Sequence, residues 1–172
     1  MVLSARSRLA AVAMFLPLTA SCGRPAFNGT AYRDAEVAFR VGPIPRTWRR
    51  IDVDRSKLAF RDDTAAATVA VNARCGRDGD DVPLESLTQH LFLEFTERQL
   101  IGQRRFMLDG REAMRTELVA KLDGVPKHFV VVVLKKDGCV YDFLLIDAVG
   151  VENRSMPAFD RFVTGFATVS DP

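Results

Sequence analysis

One histidine in this chain sits where two carboxylates can reach it. Three Asp-Gly pairs, Asp109-Gly110, Asp123-Gly124 and Asp137-Gly138, separate strand-like runs between Gln103 and Ala148. Asp-Gly favours the two-residue type I′ turn, because both central residues take positive φ there. With Asp137-Gly138 in such a turn, the register places His128 opposite Asp147. With Asp123-Gly124 in another, Val119 faces His128 and Glu117 lies diagonally beside it, on the same face. An imidazole between two carboxylates can serve as a general base or as a weak metal-ligand set. No nucleophile stands next to it in this register. The competing reading is a polar finish to an otherwise apolar sheet. His128 then contributes a cross-strand term of about 0.2–1 kcal/mol, and His128→Ala changes stability modestly. The same register sends Asp142 to a face shared with Val140, Leu144 and Ile146, where a buried carboxylate needs a partner. Arg105, facing Met114, points to that side and is the expected structural ion-pair partner.

Other reactive signatures are missing. The chain has no GxSxG, HExxH, Walker loop or GxGxxG. Asp78-Gly79-Asp80-Asp81 carries calcium-like acids, but no ligand Glu follows at EF-hand spacing, so it reads as a solvated acidic turn. No catalytic residue, metal site or cofactor is assigned. Arg46, Arg49 and Arg50 flank Trp48, a composition favoured in partner hot spots. The alternative is a core tryptophan with exposed arginines.

The N-terminus says where the protein works. Arg6 and Arg8 precede an apolar run from Leu9 to Leu18, then Thr19-Ala20-Ser21. That order is a signal peptide over residues 1–21. The run is about half the roughly 20 residues a spanning helix needs. Leu18-Thr19-Ala20-Ser21-Cys22 resembles the lipobox of bacterial lipoproteins, although Thr19 stands where they usually carry Leu. The resemblance implies a Cys22 that carries acyl chains (palmitate among them) and a domain tethered to a membrane in the cell envelope. Gly23 after the cysteine favours the outer over the inner membrane by the same resemblance. Plain secretion with an unmodified Cys22 and a cytosolic N-terminus misread as a signal are the alternatives.

Cleavage leaves about 150 residues, enough for one domain with a sizeable core. The chain carries 24 Lys+Arg against 22 Asp+Glu, and the signal holds two of the arginines, so the mature body is balanced in charge. That argues against a nucleic-acid binder, which needs a basic stripe to neutralise phosphates. Cys75 and Cys139 remain after Cys22, and an even pair in an exported chain suggests a disulfide. Two buried free thiols are the other reading.

The elements that must position these residues follow from periodicity. Residues 22–36 are polar and aperiodic and read as a tether, leaving a single domain over 37–172. Lys57–Arg61 and Ala66–Cys75 are strand-like, joined by a turn at Asp62-Asp63-Thr64-Ala65. From Pro83 to Ile101 Leu84, Leu87, Leu91 and Phe95 recur at helical spacing, with Asp80 or Asp81 as cap and Gly102 as stop. The three Asp-Gly turns make a four-stranded antiparallel meander from Gln103 to Ala148. A last helix follows, with Ser155 as cap, Pro157 in its first turn and a Phe159, Phe162, Val163, Phe166 stripe. Both faces of the meander are apolar, so each needs a cover. The expected fold is α+β: an α/β/α sandwich in which the two helices cover the two faces of the antiparallel sheet.

Several of these segments together resemble the PsbP-like and DcrB-like bacterial lipoproteins, a superfamily that includes the Mog-type proteins. They are Pro45-Arg46-Thr47-Trp48, the central helix and Leu108-Asp109-Gly110-Arg111-Glu112-Ala113. Asp137-Gly138-Cys139-Val140-Tyr141-Asp142-Phe143 and the closing Phe159/Phe162/Phe166 helix complete the set. The likeness spans most of residues 37–168. It implies the sandwich fold and carries no catalytic residues. The expected function is a membrane-tethered, non-enzymatic envelope lipoprotein acting as an accessory or protein-interaction module. A binder of a small hydrophobic or lipid ligand is the first alternative and an enzyme centred on His128 the second.

Overall fold

The computed structural model describes residues 25–76, 82–150 and 154–169. The signal segment, Cys22 and the Asp78–Asp81 turn, with the Asp80/Asp81 cap, lie outside them.

Most of the chain is antiparallel sheet. Strands β4 (Trp48–Arg50), β5 (Leu58–Asp62), β6 (Ala67–Cys75), β7 (Thr96–Leu108), β8 (Arg111–Leu122), β9 (Val125–Lys136) and β10 (Cys139–Ala148) form seven strands in the order β4-β5-β6-β10-β9-β8-β7. The three Asp-Gly turns build the last four as expected. Asp109, Asp123 and Asp137 take φ of 47°, 51° and 52°, and the glycines after them are positive too. The predicted register holds residue for residue: Val133 faces Asp142, Val131 faces Leu144 and Phe129 faces Ile146. Strand β6 then pairs with β10 and joins the N-terminal strands to the meander.

A second, small sheet runs β1 (Ala26–Phe27), β2 (Ala31–Arg33), β3 (Ala38–Arg40) and β11 (Ala167–Thr168). Two of its strands, β1 and β2, fall within the stretch expected as a tether over 22–36. Tyr32 is buried and stacks on Phe39 at 5.2 Å. Asp34 turns the chain between β2 and β3 by accepting from the amides of Glu36 and Val37, both at 2.8 Å. A short aperiodic stretch hid two strands of only two and three residues.

The helices are α1 (Leu84–His90) and α2 (Met156–Thr164). The α+β class stands, but the expected sandwich is modified. One face of the large sheet (Val69, Val71, Val130, Val132, Phe143, Leu145) packs against Phe159, Phe162 and Val163 of α2, and against Tyr32, Phe39 and Val41 at the small sheet. The other face (Met114, Leu118, Phe129, Val131, Val133) meets Leu84 of α1 and Phe92, with Leu87, Leu91 and Phe95 packed at its margin. So the cover is shared between short helices and other elements. Helix α1 stops at His90 rather than Ile101, and Gly102 lies inside β7. The helical stripe was real in its apolar contacts, but Leu91–Phe95 run on as turns that keep the same side chains inward. Its N-cap is Pro83. Ser155 sits at the N-cap of α2, yet its hydroxyl is buried without a partner, so it does not cap through its side chain.

Two glycines set how α2 docks. A Cβ on Gly42 would lie 1.9 Å from the Arg161 carbonyl oxygen, and one on Gly165 would lie 2.3 Å from the Gly42 Cα. The Gly42 amide donates to the Phe162 carbonyl at 2.8 Å. Backbone meets backbone here, so no side chain fits.

Candidate functional site

The meander register delivers the expected polar cluster. His128 on β9 faces Asp147 on β10 and Val119 on β8. Its Nδ1 is 2.8 Å from Asp147 Oδ1, and its Nε2 is 2.9 Å from Glu117 Oε1. The imidazole is fully buried, Asp147 is 1% exposed, and the Glu117 side chain reaches partway to solvent at 30%. Burial pulls the imidazole pKa down, but the hydrogen bonds to Asp147 and Glu117 outweigh it and hold the pKa above its ordinary value. The ring therefore favours the charged form, donating from both nitrogens. This is firmer than the modest cross-strand contact expected from spacing alone. It is a buried ion cluster with both nitrogens engaged, so neither is free to take a proton from a substrate or to bind a metal.

Asp142 is fully buried, as its face requires, but its partner is Arg74 rather than Arg105. Arg105 instead binds Glu85 and Glu112. The reason is topological. Strand β6 lies directly beside β10, with Asp142 opposite Asn72, so Arg74 two residues on shares its face. Arg105 sits on β7, three strands away from β10. Burial pushes the Asp142 pKa up against the pull of Arg74. The second oxygen of Asp142 and the Asn72 side-chain oxygen have no partner. Asn72 and Arg74 line a cavity of about 660 Å³ with Arg55, Val82, Ser86, Leu87 and His90. Its lining mixes the apolar Val82 and Leu87 with charged and polar side chains and holds no phenylalanine.

The Arg46/Trp48/Arg49/Arg50 patch divides. Trp48 is core, 6% exposed, and its indole N–H donates to Asp62 Oδ2 at 3.2 Å. Arg49 reaches Asp63 at 3.5 Å, and Arg50 lies over the Phe27 ring. Arg46 is exposed. The tryptophan therefore anchors the fold and leaves only arginines at the surface.

Cys75 and Cys139 form a disulfide. They are direct cross-strand partners at one end of the β6–β10 pair. One further cluster has no signal in spacing. Lys57 Nζ bonds Asp34 Oδ2 at 2.7 Å and Glu36 Oε2 at 2.9 Å, and the Tyr32 hydroxyl donates to Asp34 Oδ2 at 2.9 Å. It ties the small sheet to the start of β5. Burial works to raise the Asp34 pKa, yet Lys57 and the Val37, Glu36 and Tyr32 donors bring it down to about 2. Among the described residues, no helix is long and apolar enough to cross a membrane.

Solved structures share this architecture. PsbP (CyanoP) from Synechocystis sp. PCC 6803 superposes with a TM-score of 0.56 at 17% identity, over 88% of this chain and 99% of that one. LpqN of Mycobacterium tuberculosis, involved in cell envelope biogenesis, gives 0.53 at 18% identity over 86% and 90%. A Pseudomonas aeruginosa protein of unknown function, PA94, gives 0.50 at 14% identity over 87% and 99%. No protein-family model matches the sequence, and no curated protein matches it. The chain has the PsbP-like, DcrB-like fold.

Proposed function

We propose that the mature protein is a lipid-anchored accessory of the bacterial cell envelope that works by binding other proteins rather than by catalysis. The observation behind this reading is the closure of the His128 cluster. It is the one grouping the sequence offered for acid–base chemistry, and its imidazole is buried with a carboxylate on each nitrogen. A general base needs a free nitrogen within reach of substrate. Fold neighbours that include a PsbP and an envelope-biogenesis protein are compatible with an accessory role. The hydrophobic-ligand alternative wants a pocket walled by apolar and aromatic side chains, and the 660 Å³ cavity offers only Val82 and Leu87 beside two arginines, a histidine, a serine and an asparagine. The anchor is lipid on Cys22, facing the periplasm, with the outer membrane favoured.

Two experiments test this. Crosslinking pull-down of the native membrane-tethered protein should return a specific envelope protein. Cys22→Ala should release the protein from membranes or block its maturation, and a variant that still fractionates wholly with membranes would sink the lipid anchor. Recovery of the native protein only in inner membranes would remove the outer-membrane assignment. The catalytic alternative gains the field if a His128 variant folds, exports and melts normally while function is abolished.

A further inference from the structure

Strand β7 is the outer edge of the seven-stranded sheet, and it is long and bare. It runs 13 residues, and all but Phe106 and Leu108 are exposed. An edge strand turns the N–H and C=O of every second residue outward, unpaired. Natural proteins blunt such edges with bulges. Here the irregularities fall between Thr96 and Gly102, while Gly102 to Leu108 pair with β8 without a break. The side chains beside this regular stretch are of two kinds. On the α2 face Arg104 lies over the Phe106 ring at 5.3 Å and has no ion-pair partner among the described residues. It rims a hollow of about 210 Å³ with Gly102, Gln103, Arg115 and Glu117. Arg115 is held there by Asp160 at 2.7 Å, and the Glu117 carboxylate is turned to His128. On the opposite face Leu100 and Met107 are 62% and 67% exposed.

We infer that β7 is a docking strand. It takes an extended segment of a partner protein, with acidic side chains on the face of Arg104 and apolar ones on the face of Leu100 and Met107. The inference rests on the protein-binding reading above and names its surface. Main-chain hydrogen bonds supply the attachment, and alternate side chains supply the choice of partner. Charge selects an acidic occupant: Arg104 has no carboxylate partner among the described residues, whereas Arg105 is matched by Glu85 and Glu112 and the strand's one acid, Glu97, by Lys121. It also disfavours a second copy. Antiparallel self-pairing centred on either neighbouring arginine sets two guanidiniums directly opposite each other.

The test uses the purified full chain in detergent and two six-residue peptides, one alternating Val and Glu, the other Val and Lys. Backbone amide exchange is followed through β7. The acidic peptide should slow exchange of outward-facing amides between Gly102 and Leu108, an effect that weakens as salt rises, and the lysine peptide should give no such protection. Arg104→Glu should weaken it by about tenfold or more, with the melting temperature unchanged. Absence of new protection in β7, or equal binding of the two peptides, overturns the inference. So does a free protein that sediments as a dimer with β7 already protected, because the occupant is then a second copy. If pull-down returns a partner that Arg104→Glu does not affect, the binding function stands and β7 is not its surface. If neither a partner nor peptide protection appears, both fail.

Discussion

Replacing His128 by alanine should remove about 3–5 kcal/mol of stability, the scale measured when one member of a buried ion pair is deleted. The figure follows from what the substitution leaves behind. Asp147 is 1% exposed, and its Oδ2 already lacks a partner. Losing the 2.8 Å bond from His128 Nδ1 strands a buried carboxylate with nothing to replace it. The 2.9 Å bond to Glu117 matters less, because that side chain can turn to water. Each kcal/mol moves the melting temperature of a domain this size by about 2–4 °C, so the loss should read as roughly 6–20 °C. Glu117→Gln keeps an acceptor near the ring and should cost only about 1 kcal/mol. Replacing His128 and Asp147 together by leucine should recover much of the loss, since an apolar pair strands no charge. Urea unfolding at acidic and alkaline pH adds a second readout. The folded pKa of His128 is raised above its ordinary 6.5. Its stabilisation is therefore complete below about 6.5 and fades as pH rises through the higher folded value. That alkaline decline should be absent from His128→Ala. A variant within about 1 kcal/mol of wild type at both pH values would falsify the reasoning.

Three further expectations follow from contacts elsewhere. Reducing the Cys75–Cys139 bridge, which joins residues 64 apart, should destabilise the protein by about 4 kcal/mol in the chain-entropy account, read by denaturant unfolding with and without reductant; alkylation of both cysteines in unfolded, unreduced protein would show the bridge absent. Asp34 has a folded pKa near 2 against an ordinary 3.8, so its stabilisation is present above about 3.8 and lost as pH falls toward 2; Asp34→Asn should flatten that part of the acid-unfolding curve. Gly165→Ala forces a methyl to 2.3 Å from the Gly42 backbone, and should lower stability by about 1–3 kcal/mol in thermal unfolding, whereas Gly102→Ala, with open space around it, should change it far less.

The meander and its site were legible because the signals were local. Asp-Gly turns fix their own register, and that register carried His128 to Asp147 and Glu117 without knowledge of any other element. Asp142 was read as buried from the same count. Its partner was misread because Arg74 reaches it through β6, a neighbour that no turn announces. The cysteine pair held the missing information. Setting Cys75 opposite Cys139 places Asn72 opposite Asp142 and Arg74 diagonal to it. The small sheet was invisible because its strands are two or three residues long, too short for a period to show. The central helix was drawn too long because an apolar stripe reports which side chains face inward, not whether the backbone stays helical. The Gly42–Gly165 contact gave no sign, since either glycine alone reads as a turn residue.

The placement of β6 sets an order of events in time. The chain makes β6 early, but its partner β10 begins 64 residues after Cys75. A strand made this early would wait with an apolar ladder, Val69 and Val71 among it, until the meander had been delivered. The meander needs no such wait, because each of its hairpins closes a two-residue loop and forms at little entropic expense. Folding should therefore begin in the C-terminal half and draw the N-terminal half onto it, with the bridge closing last. A chain that ends before Cys139 would keep a reactive thiol and an unsatisfied strand, and such a fragment is expected to pair with whatever edge it meets first.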